Sequence, residues 1–207
     1  MEYQQKMHKT VEQYAGMYRD TLQRNNIPDA DKKTEEYKAK LAGMYATEEY
    51  RRRESLYPTM QMSKIYAVVA MCLMLQSYGY QKEEIFDIVN GAFRKLKALL
   101  YGLEKVIDST PLAWPIARKW NLNEYANRQK DGSITFEMFD AKPDRIEYKI
   151  NGCQYVAVFE SFGIREMCKI FCMTDTQAYA NLTRHVRFER YSDLSDGEVC
   201  WDVVSKK

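Results

Sequence analysis

The run Ile65-Tyr66-Ala67-Val68-Val69-Ala70-Met71-Cys72-Leu73-Met74-Leu75 constrains this chain more than any other segment, because a helix built from it is apolar on nearly every face. Such a helix has to be surrounded, so it belongs at the middle of a core. It falls short of the ~20 apolar residues that a bilayer crossing needs, so it reads as a buried helix and not as a membrane anchor. Helical signals continue on both sides. Residues 3–25 place Tyr3, Met7, Tyr14, Met17, Tyr18 and Leu22 on or near one face. Ile27-Pro28 ends that helix, since the residue before proline disfavours helical backbone, and Asp29 or Asp31 is placed to cap a second. Arg51-Arg52-Arg53 sits among Glu48, Glu49 and Glu54 and reads as a salt-laced surface, not a phosphate site. Thr59 is the expected cap of the central helix, which runs to about Tyr78 and stops at Gly79. Residues 81–101 form the next helix, with Ile85, Phe86, Ile88, Val89, Phe93, Leu96 and Leu100 as its buried stripe.

The pattern changes after Leu103. Ser109-Thr110-Pro111 and Trp114-Pro115 predict a connection, since two prolines break a continuous helix, with a short helix over Trp120–Arg128. Ser133–Phe139 and Arg145–Ile150 then alternate with period two, which predicts two antiparallel strands with Ile134, Phe136 and Met138 on one face of the first. Asn151-Gly152-Cys153 reads as a kink or bulge. A helix over about Val156–Cys172, broken or bent near Gly163, precedes a shorter one capped by Thr174 with Asp175 in its first turn. Val186–Tyr191 and Glu198–Val204 close the chain as a hairpin turning at Asp196-Gly197. The fold class is α+β: a helical N-terminal two-thirds packed against a small antiparallel sheet with helices in the C-terminal third. Residues 1–107 form the helical region and 108–207 the cysteine-bearing α+β region, together one compact unit.

Charge excludes some functions. Thirty-one basic side chains face 29 acidic ones, a net +2 that gives no field to argue for nucleic acid or an anionic membrane. Sixteen Tyr suit helix–helix contacts, where the ring packs and the hydroxyl still bonds. The five cysteines (72, 153, 168, 172 and 200) are odd in number, form no CxxC pair, and follow a start with no apolar leader. Reduced thiols in a cytoplasmic protein are the expectation.

Chemistry enters with the order of features in the C-terminal third. A strand leads to Cys153, then come a helix, Gly163, Phe171-Cys172-Met173-Thr174-Asp175, another helix, Phe188-Glu189-Arg190, a Leu194-Ser195-Asp196-Gly197 turn, and Cys200. This order resembles the L-2-amino-thiazoline-4-carboxylic acid hydrolase family, over about Pro58–Val204. The resemblance implies hydrolysis of an amidine-type C–N bond in a small ring, giving a carbamoylated cysteine. It requires an attacking thiolate or activated water, an acid for the departing ring nitrogen, and a cation for the substrate carboxylate. Cys172 or Cys153 is the candidate nucleophile, with Cys200 beside them. Asp175 is the candidate acid/base, three residues after Cys172 and so on the same side of a helix. Arg190 is the candidate carboxylate clamp, or else the cross-hairpin partner of Glu198 or Asp202.

The chain departs from the family at Cys200-Trp201-Asp202, where Cys-Asp-Phe is usual, and at Tyr191–Ser195, which replaces a Thr-Leu-Ala turn. Trp201 beside Cys200 reads as a substrate-binding or pocket-filling ring, and motivates the alternative of a non-catalytic small-molecule binding or sensing module. A third reading makes the charged N-terminal helices a partner surface. Cys168 and Cys172 at i, i+4, with His185 and Cys200, can be drawn as four soft ligands, but the spacing is that of no known zinc motif. Neither a metal nor a cofactor is expected. The expected partner is a small-molecule substrate or ligand, with no nucleic acid and no membrane, and a homo-oligomer left open.

Overall fold

A computed structural model describes the backbone of residues 2–92 and 94–207 and the side chains of 3–92 and 101–207. Residues 1–95 and 96–207 form two compact units. The fold is α+β, helical at first and closed by a four-stranded antiparallel sheet.

In the first unit, α1 (Glu2–Arg24), α2 (Ala30–Ala46), α3 (Glu48–Leu56), α4 (Met62–Ser77) and α5 (Lys82–Ala92) follow one another. The apolar helix α4 is buried from Ile65 to Cys72 without interruption, with α1, α2, α3 and α5 packed around it. The tyrosines line these contacts. Tyr18 of α1 stacks on Tyr37 of α2 with ring centroids 4.5 Å apart, and Tyr50 of α3 meets Tyr66 of α4 edge-on at 5.0 Å. The Tyr37 hydroxyl donates to the Ala67 carbonyl at 3.2 Å, and that of Tyr45 to the Ser63 carbonyl at 2.7 Å. Glu49 holds Arg52 and Arg53, so the arginine run is a salt-laced face.

Helix starts are less faithful to the sequence pattern. Thr59 does not cap α4. Residues 57–60 make a tight turn, with Met60 N–H on the Tyr57 carbonyl, and the helix starts at Met62 behind Gln61. The described residues on both sides of Phe93 in the helix expected over 81–101 are helical, as α5 and as α6 (Arg94–Asp108). Phe93 and the side chains of Leu96 and Leu100 lie outside the described residues. Asp29 precedes α2 in left-handed backbone (φ 56°) and makes no side-chain cap.

In the second unit α6 is followed by α7 (Ala113–Asp131), which contains the Trp114-Pro115 pair expected to break it. Pro115 sits in the first turn, where an N–H has no intrahelical acceptor, and the Ile116 N–H bonds the Leu112 carbonyl just beyond it. Then come β1 (Ile134–Ala141), β2 (Arg145–Cys153), α8 (Gln154–Ser161), a 3₁₀ turn (Arg165–Cys168), α9 (Lys169–Tyr179), β3 (Val186–Ser192) and β4 (Cys200–Lys206). The helix expected over 156–172 is thus split at Gly163, whose φ of 73° suits glycine. Thr174 caps nothing: it lies inside α9 and its hydroxyl donates back to the Phe171 carbonyl at 2.6 Å.

Strand order is β1-β2-β4-β3, so the last strand in sequence is an inner one. Irregularities in the β1–β2 register at Glu137 and Asn151 shift the alternation, so Phe136 and Phe139, not Met138, share the face with Ile134 that lines the cavity described below. Ala113, Trp114 and Ala117 of α7 pack with Tyr179, Val186, Ile146 and Val204 at one end of the sheet.

Tyr18 and Tyr37 separate packing from hydrogen bonding. Tyr18 has a buried hydroxyl with no partner among the described residues, while that of Tyr37 is bonded. In urea unfolding, Tyr37→Phe is expected to cost about 1 kcal/mol. Tyr18→Phe is expected to be neutral or stabilising.

Candidate functional site

Register assembles the site. Across the sheet, Phe139 pairs with Tyr148, Tyr148 with Asp202, and Asp202 with Arg190, one residue from each strand. A second row runs Phe136, Ile150, Cys200. Side chains in such rows share a face, and these line a cavity of about 290 Å³. Above them α7 presents Trp120, Asn121, Glu124, Tyr125 and Arg128, one face of a helix. From α9 come Phe171, Cys172, Asp175 and Tyr179, again at helical spacing. Cys153, at the end of β2, and Tyr155 close one side.

Five of the six side chains singled out in the sequence therefore meet around one space: Cys153, Cys172, Asp175, Arg190 and Cys200. Trp201 does not. Strand alternation turns it to the opposite face, where its indole N–H donates to Glu147 at 2.8 Å, Lys149 lies 4.8 Å over its ring, and Tyr191 packs at 4.6 Å. Asp202, one residue on, faces inward in its place. A Cys-x-Asp spacing on a strand puts thiol and carboxylate on one face, so Asp202 borders the cavity together with Cys200.

Arg190 is held by its neighbours. Its Nε and one terminal nitrogen fork onto the two oxygens of Asp202 at 2.8 and 2.7 Å, in a bidentate pair directly across β3 and β4. The other terminal nitrogen donates to the Cys172 carbonyl, while the one on Asp202 also reaches Asp175 at 3.4 Å. The fork expected to clamp a substrate carboxylate is thus taken by Asp202. Burial disfavours the Arg190 charge, yet the Asp202 bonds more than offset it and hold the guanidinium protonated.

The thiols differ. Burial pushes Cys153 up to about 11, against the amides of Tyr155 and Val156, which favour its thiolate without forming a cap bond. Cys200 rises to about 12 for the same reason, although the Leu194 N–H donates to its sulfur at 3.2 Å. Cys168, fully buried, is raised much further by its interaction with Cys172 and then by burial, so it stays a neutral thiol behind Cys172. Asp175 is raised to about 6, chiefly by desolvation and secondarily by Asp202, with Arg190 pulling the other way. Some 40% of its side-chain surface is open, but it opens into the cavity.

The hairpin loop carrying Cys200 is pinned from outside. Arg165 donates to the Leu194 and Gly197 carbonyls at 3.0 and 2.9 Å. Ser195 turns both its N–H and its hydroxyl onto Asp193. Gly197 has no room for a side chain, because a Cβ there would lie 2.9 Å from the Asp193 carbonyl oxygen. Among the described residues no three His, Cys, Asp or Glu side chains are grouped to hold a metal ion. No described helix is long and apolar enough to cross a membrane.

The family model for L-2-amino-thiazoline-4-carboxylic acid hydrolase matches residues 60–203. The chain belongs to that family. No curated protein matches it. The family match spans every residue that lines the cavity, from Trp120 to Asp202.

Two variants probe the site's energetics. Asp202→Ala leaves Arg190 buried without its main counter-charge and is expected to destabilise by about 3–5 kcal/mol in denaturant unfolding. Asp175 works with the opposite sign. Its folded pKa exceeds the unfolded one, so its contribution is most favourable below the ordinary carboxylate range and is lost as pH rises through about 6. Asp175→Asn should therefore melt above wild type at about pH 8, with the gap closing by about pH 4.

Proposed function

We propose that this chain is a hydrolase that opens a small cyclic amidine of the 2-amino-thiazoline class at its C–N bond, with Cys172 as nucleophile and Asp175 as the proton carrier. The observation that carries this is convergence: Cys172 and Asp175 from one face of α9, Cys153 from β2 and Cys200 from β4 all border one small cavity. Family membership supports the reaction class.

Cys172 is preferred among the thiols for a physical reason. Cys153 and Cys200 are held protonated by burial, and Cys168 by its interaction with Cys172 and then by burial, which suits wall residues and weak donors better than nucleophiles. Asp175, poised near neutrality, takes the Cys172 proton as sulfur attacks the amidine carbon. The same carboxyl then returns that proton to the ring nitrogen as the C–N bond breaks. Water adds to the resulting thioimidate, Cys172 leaves as thiol, and a carbamoyl product remains. Arg190 fixes this segment through the Cys172 carbonyl and keeps Asp175 within reach of a positive charge.

Ring opening of 2-amino-thiazoline-4-carboxylate and of the parent ring without the acid group, followed by mass spectrometry, tests the proposal. Cys172→Ser should abolish turnover, while Cys153→Ser and Cys200→Ser retain it. Asp175→Asn should lose about 10²–10⁴-fold in kcat. In wild type kcat/KM should rise with pH through about 6, as the Asp175 base forms. A Cys172→Ser enzyme as fast as wild type, or no opening of either ring, sinks the reading.

A further inference from the structure

The cavity's charges point to a particular kind of substrate. Among the described residues five charged side chains line it, Glu124, Asp175 and Asp202 against Arg128 and Arg190, three acids to two cations, with no Lys or His. Both guanidiniums already have a carboxylate at close range. Arg128 bonds Glu124 at 3.0 Å, and Arg190 is forked onto Asp202. Asp175 is the acid left over, 3.4 Å from an arginine whose shorter bonds go elsewhere.

An incoming carboxylate would have to displace Glu124 or Asp202 from its partner while facing Asp175. In a site of low dielectric such competition is costly. An incoming cation meets the reverse. It finds Asp175 to pair with and aromatic rings on the other walls: Tyr125 lies stacked on Phe139 at 3.8 Å, Phe136 stands edge-on to Tyr125 at 4.8 Å, and Tyr155 tilts against Phe171 at 4.9 Å. Amidines and isothioureas are bases and carry a positive charge in neutral water. The amino-thiazoline ring supplies that charge, and the aromatic walls favour an apolar body attached to it.

We propose that the site of this chain takes a cyclic amidine as a cation bearing an apolar or aromatic group where amino-thiazoline carboxylate carries its acid. The proposal rests on the hydrolase reading for its ring class and on the cavity's charges for its substituent. Asp175 has two duties here: it pairs with the amidinium on binding and moves the proton during ring opening. Glu124 is the specificity residue, because it occupies the arginine that a substrate carboxylate would need.

Calorimetric titration of the full chain with two matched rings tests this, the 2-amino-thiazoline bearing a phenyl group and the one bearing a carboxylate at the same carbon. The phenyl compound is expected to bind at least about tenfold tighter. Asp175→Asn should erode that advantage. Glu124→Gln, a change at a half-exposed position, should narrow it about tenfold by removing the carboxylate that competes for Arg128. Equal or tighter binding of the carboxylate by wild type overturns the proposal, as does binding of neither. Turnover measured on the same samples separates the two claims. Tight binding of the phenyl ring without opening supports the ligand class and removes the hydrolase reading, whereas opening of the carboxylate ring alone does the converse.

Discussion

The pair between Arg190 and Asp202 is the constraint on which the rest of the second unit depends. A guanidinium and a carboxylate are directly opposed on neighbouring strands, both withdrawn from water, and forked together at 2.7–2.8 Å. Buried charges survive only when paired, so this bond fixes the register of β3 against β4. Register in turn decides which residues of β4 look inward. A slip by one residue would turn Cys200 and Asp202 out and Trp201 in. The same guanidinium reaches the Cys172 carbonyl and comes within 3.4 Å of Asp175, which ties α9 to the sheet. One cation therefore aligns three of the segments that make the cavity.

The price of that arrangement is carried by Asp175. Asp202 takes the arginine's shorter bonds, so the second acid nearby keeps only a longer contact to the same guanidinium, 3.4 Å away, and desolvation outweighs it. Its ionisation is displaced upward as a result. Displaced ionisation of this kind is what a proton carrier near neutral pH needs. The strong ion pair and the weak one are two sides of a single electrostatic division, made within one row of the sheet and the helix above it.

Much of the fold was legible in the sequence. Periodicity identified α1, α4 and all four strands, because their apolar spacing is set by burial in the final structure. What failed was local punctuation. Pro115 reads as a breaker only if its place in a helix is interior, and in the first turn it costs nothing. That misreading shortened α7 to Trp120–Arg128; Glu124, Tyr125 and Arg128 lie on the expected part, and their i, i+1, i+4 spacing was the signal that they share a face. Thr174 looked like a cap because Thr often is one, yet its hydroxyl bonds back inside α9. At the site, the cysteines and Asp175 came from family order. Asp202 was open to simple alternation from Cys200, and Trp201 was chosen for its size where its parity on the strand should have excluded it. The irregularity at Asn151 was legible in Asn151-Gly152-Cys153, whereas the one at Glu137 was beyond reach, since it is fixed by pairing and not by the strand's own pattern.

The strand order has a consequence for how the site comes into being. β4 follows every other element in the chain, yet it lies between β2 and β3. Until it is inserted, β2 and β3 have no neighbour in common, Arg190 has no Asp202, and the cavity lacks part of its floor. Cys153 and Cys172 are then two ordinary thiols on unconnected pieces. The cavity of this unit is thus an all-or-none feature, complete only with the final strand in place.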